Sequence, residues 1–245
     1  MKWLKSFVRI CVVTYIGFAA GLYVLQEKLI FFADPVAITH TYEFTHATKD
    51  IWLTNSDAIL HGVLFKAPTA DRRGGAQKRV VLYFKGNMGN IGSSERLAGL
   101  FLRLGYDVLS MDYRGSGKSR GPLSEYKLLK DAELWHDWAE QNYGEGVRVV
   151  GYSLGTTFAS HIAAVRPVSH TILFAPMRSV EDVAHYRYPF LPSFITRYPF
   201  RSFETLERAS GQVVIYHGTE EKVIPFALGG ALKDVLGADD AFRSL

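Results

Sequence analysis

The chain has 245 residues, 48% hydrophobic and 21% charged, with 22 Gly and 9 Pro, which excludes a disordered or collagen-like chain and suits one or two domains. A single cysteine, Cys11, excludes an intrachain disulfide framework and a cysteine-based zinc site. The net charge of +4 sits mostly in residues 1–28, and the nearly neutral body that remains argues against a nucleic-acid partner, which needs a clustered basic face.

The first predicted element is apolar. Ile10 to Leu25 carries no charge, and with Phe7, Val8 and Leu29–Phe32 it approaches the roughly 20 residues a helix needs to cross a bilayer. Lys2, Lys5 and Arg9 precede it, so the positive-inside rule predicts a cytoplasmic N-terminus and a body on the periplasmic, luminal or extracellular side. A cleaved signal peptide with its site at Gly17-Phe18-Ala19 is the rival reading, and a buried helix a third. The anchor is favoured because the apolar run continues past that site. Cys11 reads as a small apolar side chain within it.

The body alternates strand and helix patterns. Ile51–Leu53 and Ile59–Phe65, either side of Asn55-Ser56-Asp57, predict a hairpin, and Ala67–Lys78 a surface loop. Apolar runs follow at Val80–Phe84, Tyr106–Met111, Val147–Val150, Thr171–Phe174 and Val213–Tyr216. Helical stretches lie between or after them at Ser94–Arg103, Ser124–Asn142, Thr156–Ala164 and Pro225–Val235. Such runs, nearly continuous and separated by helices, predict a mostly parallel sheet with helices on both faces. Ligands then bind at the carboxyl ends of the strands.

Directly after Val147–Val150 comes Gly151-Tyr152-Ser153-Leu154-Gly155, a G-x-S-x-G at a strand-to-helix junction. In that context the serine sits on a sharp, strained turn, and the glycines remove side chains that would clash with neighbouring backbone. Its hydroxyl is presented at a helix N-terminus that favours developing negative charge. The bland alternative is a structural turn.

These residues resemble the α/β-hydrolase superfamily over about residues 26–236, and within it the branch of membrane-anchored, single-domain serine hydrolases. Gln26–Pro35 is similar to the segment that follows the anchor in that branch. Tyr83–Asn90 (YFKGNMGN) resembles its HGNxGN oxyanion loop, Asp112–Ser119 (DYRGSGKS) its DYRGxGxS turn, and His217-Gly218-Thr219 the start of its HGxxDxxIP acid loop. The resemblance implies residues 1–28 as anchor and 29–245 as a hydrolase domain with a cap insertion at about 175–212. It also implies a metal-free and cofactor-free serine hydrolase acting on a small-molecule acyl ester, thioester or lipid, with Ser153 as nucleophile.

The oxyanion donors implied are the backbone N–H groups of Leu154 and of Asn87, with Met88 as the alternative to Asn87. Lys85 departs from the family's His and is expected to bring a cation near the site. A plain strand-end turn is the other reading of this loop. DYRGSGKS reads as structural, with Arg114 as a substrate ligand the alternative. The acid position falls on Glu221, with Glu220 beside it.

The order of the triad in this fold is Ser, acid, His. No His follows His217. A crossover and a strand place the expected His at or beyond position 241, so the last strand and helix are expected to be missing and Ala238–Leu245 to fall where the strand starts. The chain is therefore expected to be inactive or nearly so. It reads either as a C-terminal truncation of an active enzyme or as a natural non-catalytic module that binds a lipid or protein partner. Rescue by His161, His185 or His217 is not expected.

Between Phe174 and Val213 lies a stretch with no strand pattern and a near repeat, Arg187-Tyr188-Pro189-Phe190 and Arg197-Tyr198-Pro199-Phe200. Its aromatic residues read as the wall of an acyl pocket that reaches toward the membrane, or as ordinary packing of cap on core.

Overall fold

The computed structural model describes residues 1–55, 57–68 and 79–245. The turn residue Ser56 and residues 69–78 of the predicted loop lie outside them.

The chain opens with one helix, α1 (Lys2–Ile30), of 29 residues and none of them buried. At about 1.5 Å per residue it is longer than the roughly 30 Å hydrocarbon core of a bilayer, and it is long and apolar enough to cross one. Its exposure removes the reading as a core helix of the body, because such a helix buries its apolar side chains.

The hairpin forms as expected from β1 (Thr48–Asn55) and β2 (Ala58–Phe65), paired antiparallel with Asn55 opposite Ala58. The parallel strands are β3 (Arg79–Phe84), β4 (Tyr106–Met111), β5 (Arg148–Tyr152), β6 (His170–Phe174) and β7 (Gln212–His217), joined through α2 (Glu95–Leu102), α3 (Glu125–Tyr143) and α4 (Gly155–Val165). Among the described residues the sheet has eight strands, the last being β8 (Ala241–Ser244), in the order β1-β2-β4-β3-β5-β6-β7-β8. They are antiparallel between β1 and β2 and between β2 and β4 and parallel elsewhere. This is the mostly parallel sheet that the alternation of runs predicts, in the α/β-hydrolase arrangement that the resemblance implies.

One prediction is corrected. The last strand is not missing: Ala241–Ser244 form β8, parallel to β7, with Ile215 opposite Phe242. The crossover before it is one turn of α7 (Phe226–Gly230) and a 3₁₀ turn to Val235. The strand forms within Ala238–Leu245, where its start is expected, with enough residues to complete four pairs to β7.

The period of two along each strand makes two cores. Leu82, Phe84, Leu109, Met111 and Val149 point to one face, where Trp135 of α3 and Phe158 and Ile162 of α4 cover them. Val81, Tyr83, Val108 and Val150 point to the other, under Ala98 and Leu102 of α2. Local signals set the helix ends: the Ser124 hydroxyl accepts from the Lys127 N–H to start α3, and Gly144, at φ 77°, ends it.

Between β6 and β7 the chain makes α5 (Val180–Arg187), a 3₁₀ turn at Ser193–Ile195 and α6 (Ser202–Leu206). This segment lies against the end of α1.

Candidate active site

At the end of β5 the backbone turns through Ser153 at φ 51°, a conformation rarely held by a residue with a side chain. Close packing enforces it. A Cβ on Gly155 would lie 2.0 Å from the Phe84 carbonyl oxygen, and one on Gly151 2.6 Å from that of Gly155, so α4 can begin this close to β3 and β5 only through glycines. The Ser153 N–H donates to the Phe174 carbonyl at 2.9 Å, which pins the turn to the end of β6.

Ser153 opens into a cavity of about 460 Å³, within the usual size range of small-molecule sites. Asn87 and Leu154 line it beside Ser153. Met88 does not, and its side chain is exposed. The loop carrying Asn87 is held on several sides. The Asn87 side-chain amide donates to Ile30 O at 2.8 Å, Phe32 N–H donates to Asn87 O at 3.0 Å, and the Ser116 hydroxyl donates to Gly89 O at 2.8 Å. The segment after α1 thus pairs directly with the loop.

The expected cation near the site is corrected. Lys85 is buried and absent from the cavity lining, and its ammonium donates to Gly89 O at 2.8 Å and sits 3.9 Å from the Asp112 carboxylate. Burial pulls its pKa below the ordinary lysine value, against the opposing pull of Asp112. Lys85 braces the loop from behind. Arg114 is likewise buried, bonded to Asp131 at 2.6 and 2.8 Å and to Asp57 at 2.7 Å, so the turn around it is structural and Arg114 is not a substrate ligand.

Glu221 stands in the loop after β7, half-buried, with one carboxylate oxygen accepting from the Val223 N–H at 2.8 Å; Glu220 is exposed. The cavity lining takes Val223 and Ile224 from this loop and neither glutamate. His217 is the buried end of β7, ring against Phe226 and Gly229, and His161 pairs with Glu133 at 2.9 Å. His185 lies in the insertion, and α5 carries it to the cavity lining. Among the described residues no side chain hydrogen-bonds the Ser153 hydroxyl.

Sequence reasoning did not find the contribution of α1. Leu22, Gln26, Leu29 and Ile30 of α1 line the cavity together with the cap residues Ala184, Tyr188, Leu191 and Ile195. The signal was there as a spacing of four, three and one, one face of a helix, but it lies in a helix that is apolar all round.

The alpha/beta hydrolase fold family matches residues 79–213, more than half of the chain. A lysophosphatidylserine lipase, ABHD12 of Danio rerio, is 32% identical over 178 residues, covering 64% of this chain and 47% of the lipase. An uncharacterized protein of Mycobacterium tuberculosis, Rv2307c, is 29% identical over 213 residues, covering 84% of this chain and 74% of its own. The chain spans about half the length of the curated lipases it matches. Among solved structures, the Pyrococcus furiosus esterase Pf2001 superposes with a TM-score of 0.67 at 15% identity, covering 87% of each chain. The thioesterase domain from the curacin biosynthetic pathway superposes at 0.61 and 15%, covering 81% of this chain and 92% of that one. At such identities these structures speak for the fold.

Proposed function

We propose that this chain, which belongs to the α/β-hydrolase family, cleaves a carboxylic ester or thioester of an apolar acyl group through an acyl-enzyme formed on Ser153. The observation that carries this is the strained Ser153 opening into a largely apolar cavity beside Asn87 and Leu154. In this reading Ser153 Oγ attacks the acyl carbonyl, and the N–H groups of Asn87 and Leu154 receive the oxyanion, each such donor worth about 3–4 kcal/mol. Taking up the serine proton and returning it to the leaving group requires a histidine oriented by Glu221. No histidine among the described residues hydrogen-bonds the Ser153 hydroxyl, so residues 1–245 by themselves are expected to turn over slowly before water releases the acyl group. Residues 1–28 are the anchor, with the N-terminus cytoplasmic; 29–245 are the hydrolase domain, capped by about 175–212. The likeness to lysophosphatidylserine lipases supports a lipid ester as substrate.

A second reading is a membrane-tethered module that binds a lipid without cleaving it. It is favoured by the Ser153 hydroxyl having no side-chain partner among the described residues. The test is release of acid from esters of graded chain length by the membrane-bound protein, with Ser153→Ala as blank. Turnover that rises with chain length and vanishes in the blank supports the hydrolase. Tight ester binding, equal in both and without release, supports the module.

A further inference from the structure

The repeat in the cap is used in two opposite ways. In the second copy Phe200 is buried against Phe31 and Phe158, as a core residue should be. In the first copy Phe190 is 56% exposed, and nearby Phe194 is 86% exposed. From Tyr188 to Thr196 the chain has no charged residue, and Arg187 and Arg197 flank it. An uncharged, aromatic tip between two arginines suits a loop dipped in a bilayer, with its cations at the head-group level.

The contacts of the tip with α1 fix its depth. The Tyr15 hydroxyl donates to Phe190 O at 2.9 Å, and the Phe18 ring lies 5.9 Å from that of Phe190 and 6.4 Å from that of Tyr188. Phe18 is seven residues, about 10 Å along the helix, from Leu25 at the end of the uncharged run, and Tyr15 about 15 Å. A helix that spans a core of about 30 Å therefore carries the tip well below the head groups. The polar groups agree. Gln26 donates to Ile195 O and accepts from Arg197 N–H, both at 2.7 Å, so cap backbone groups find partners on α1, as a site without water requires. Closer to the body, Arg197 pairs with Glu27 at 2.8 Å and lies over the Tyr23 ring, at the level where polar groups begin.

We propose that the cap segment 188–195 is immersed in the leaflet beside α1, and that the cavity opens between the two as a side entrance through which one acyl chain of a membrane lipid reaches Ser153. Its lining fits that occupant: Leu22, Leu29 and Ile30 of α1 and Leu191 and Ile195 of the cap share it with Ser153. The proposal rests on reading α1 as the anchor and the cavity as the hydrolase site.

The test reconstitutes the protein in phosphatidylcholine vesicles containing doxyl-labelled lipids. In a Cys11→Ser background, an environment-sensitive fluorophore is placed at Phe194→Cys, with Phe18→Cys as membrane reference and Tyr126→Cys, exposed on α3, as solvent reference. Quenching at 194 is expected to match that at 18 and exceed that at 126 several-fold. Quenching at 194 no greater than at 126 overturns the immersion, and an unquenched label at 18 overturns the spanning helix and the proposal with it. A phosphatidylcholine with a photoactivatable group on its acyl chain is expected to cross-link to the peptide holding Ser153 and Leu154. Ala184→Trp, which fills the cavity, should cut that product at least five-fold while leaving quenching at 194 unchanged. Cross-linking indifferent to Ala184→Trp overturns the side entrance. Neither readout needs turnover, so failure to hydrolyse esters would count against the hydrolase reading alone.

Discussion

The ammonium of Lys85 donates to the carbonyl of Gly89 at 2.8 Å, behind the loop whose Asn87 lines the cavity with Ser153. A buried cation therefore braces, from behind, the loop that carries the proposed oxyanion donor. Lys85→Met keeps the apolar stem and removes a charge-assisted bond, of the kind worth about 1.5–3 kcal/mol. The expected result is roughly ten-fold slower reaction of Ser153 with a fluorophosphonate probe, in a protein that still folds. Unchanged probe reactivity would show that Ser116 and Phe32 hold the loop unaided.

The elbow depends on missing side chains. Gly155→Ala places a carbon 2.0 Å from the Phe84 carbonyl oxygen, contact with backbone that cannot step aside. A loss of about 3 kcal/mol or more is expected, in the upper range for single substitutions. Gly21→Ala in α1 meets nothing within 4 Å and is the control. Thermal unfolding in mild detergent compares the two.

Arg114 separates a structural role from a binding one. Its guanidinium is buried on Asp131 and Asp57, and Arg114→Met leaves the Asp131 carboxylate buried without its main partner. Breaking such a pair typically costs about 3–5 kcal/mol. Stability is expected to fall by that order, with probe reactivity per folded molecule unchanged. Stability preserved with weakened substrate binding would reverse the assignment.

Two buried histidines contribute to the pH dependence of stability. Burial lowers the pKa of His136, with Glu140 and Asp137 opposing, and burial lowers that of His161, with Glu133 opposing. Both then bind protons more readily in the unfolded chain, so stability increases with pH between each lowered value and the ordinary 6.5. Acidification from pH 7 should begin to destabilise the body near 6.5 and level off below the lowered values. His136→Gln should flatten the part due to His136. A melting temperature flat from pH 7 to 5 would contradict the sign.

The sequence carried most of the sheet because each parallel strand is apolar on both faces and stands out as a short continuous run. The elbow was legible for a similar reason, since its glycines answer to backbone contacts that the turn itself creates. What the sequence hid depended on direction rather than residue type. Lys85 follows the last residue of β3, where alternation no longer says which way a side chain points, so its turn away from the cavity had no signal. The face of α1 at Leu22, Gln26 and Ile30 was masked because a segment apolar all round shows no stripe, although Gln26 was the one uncharged polar residue near its end. The last strand lies within Ala238–Leu245, where the spacing puts its start, but Ala241–Ser244 are too few and too mixed to stand out as an apolar run.

The last prediction follows from the Ser153 hydroxyl, which has no hydrogen-bonding side chain among the described residues, with His185 the histidine that α5 brings to the cavity lining. A serine without a base keeps its proton. In triads of this kind, loss of the histidine costs about as much as loss of all three members, near 10⁶-fold in kcat. The oxyanion donors and substrate binding alone leave about 10³–10⁴ over water. Residues 1–245 in vesicles are therefore expected to label slowly with a fluorophosphonate, with Ser153→Ala as blank. His185→Ala decides the remaining possibility. Fast labelling of residues 1–245 that disappears in His185→Ala would make the cap histidine the base, and would place the general base of this site on α5.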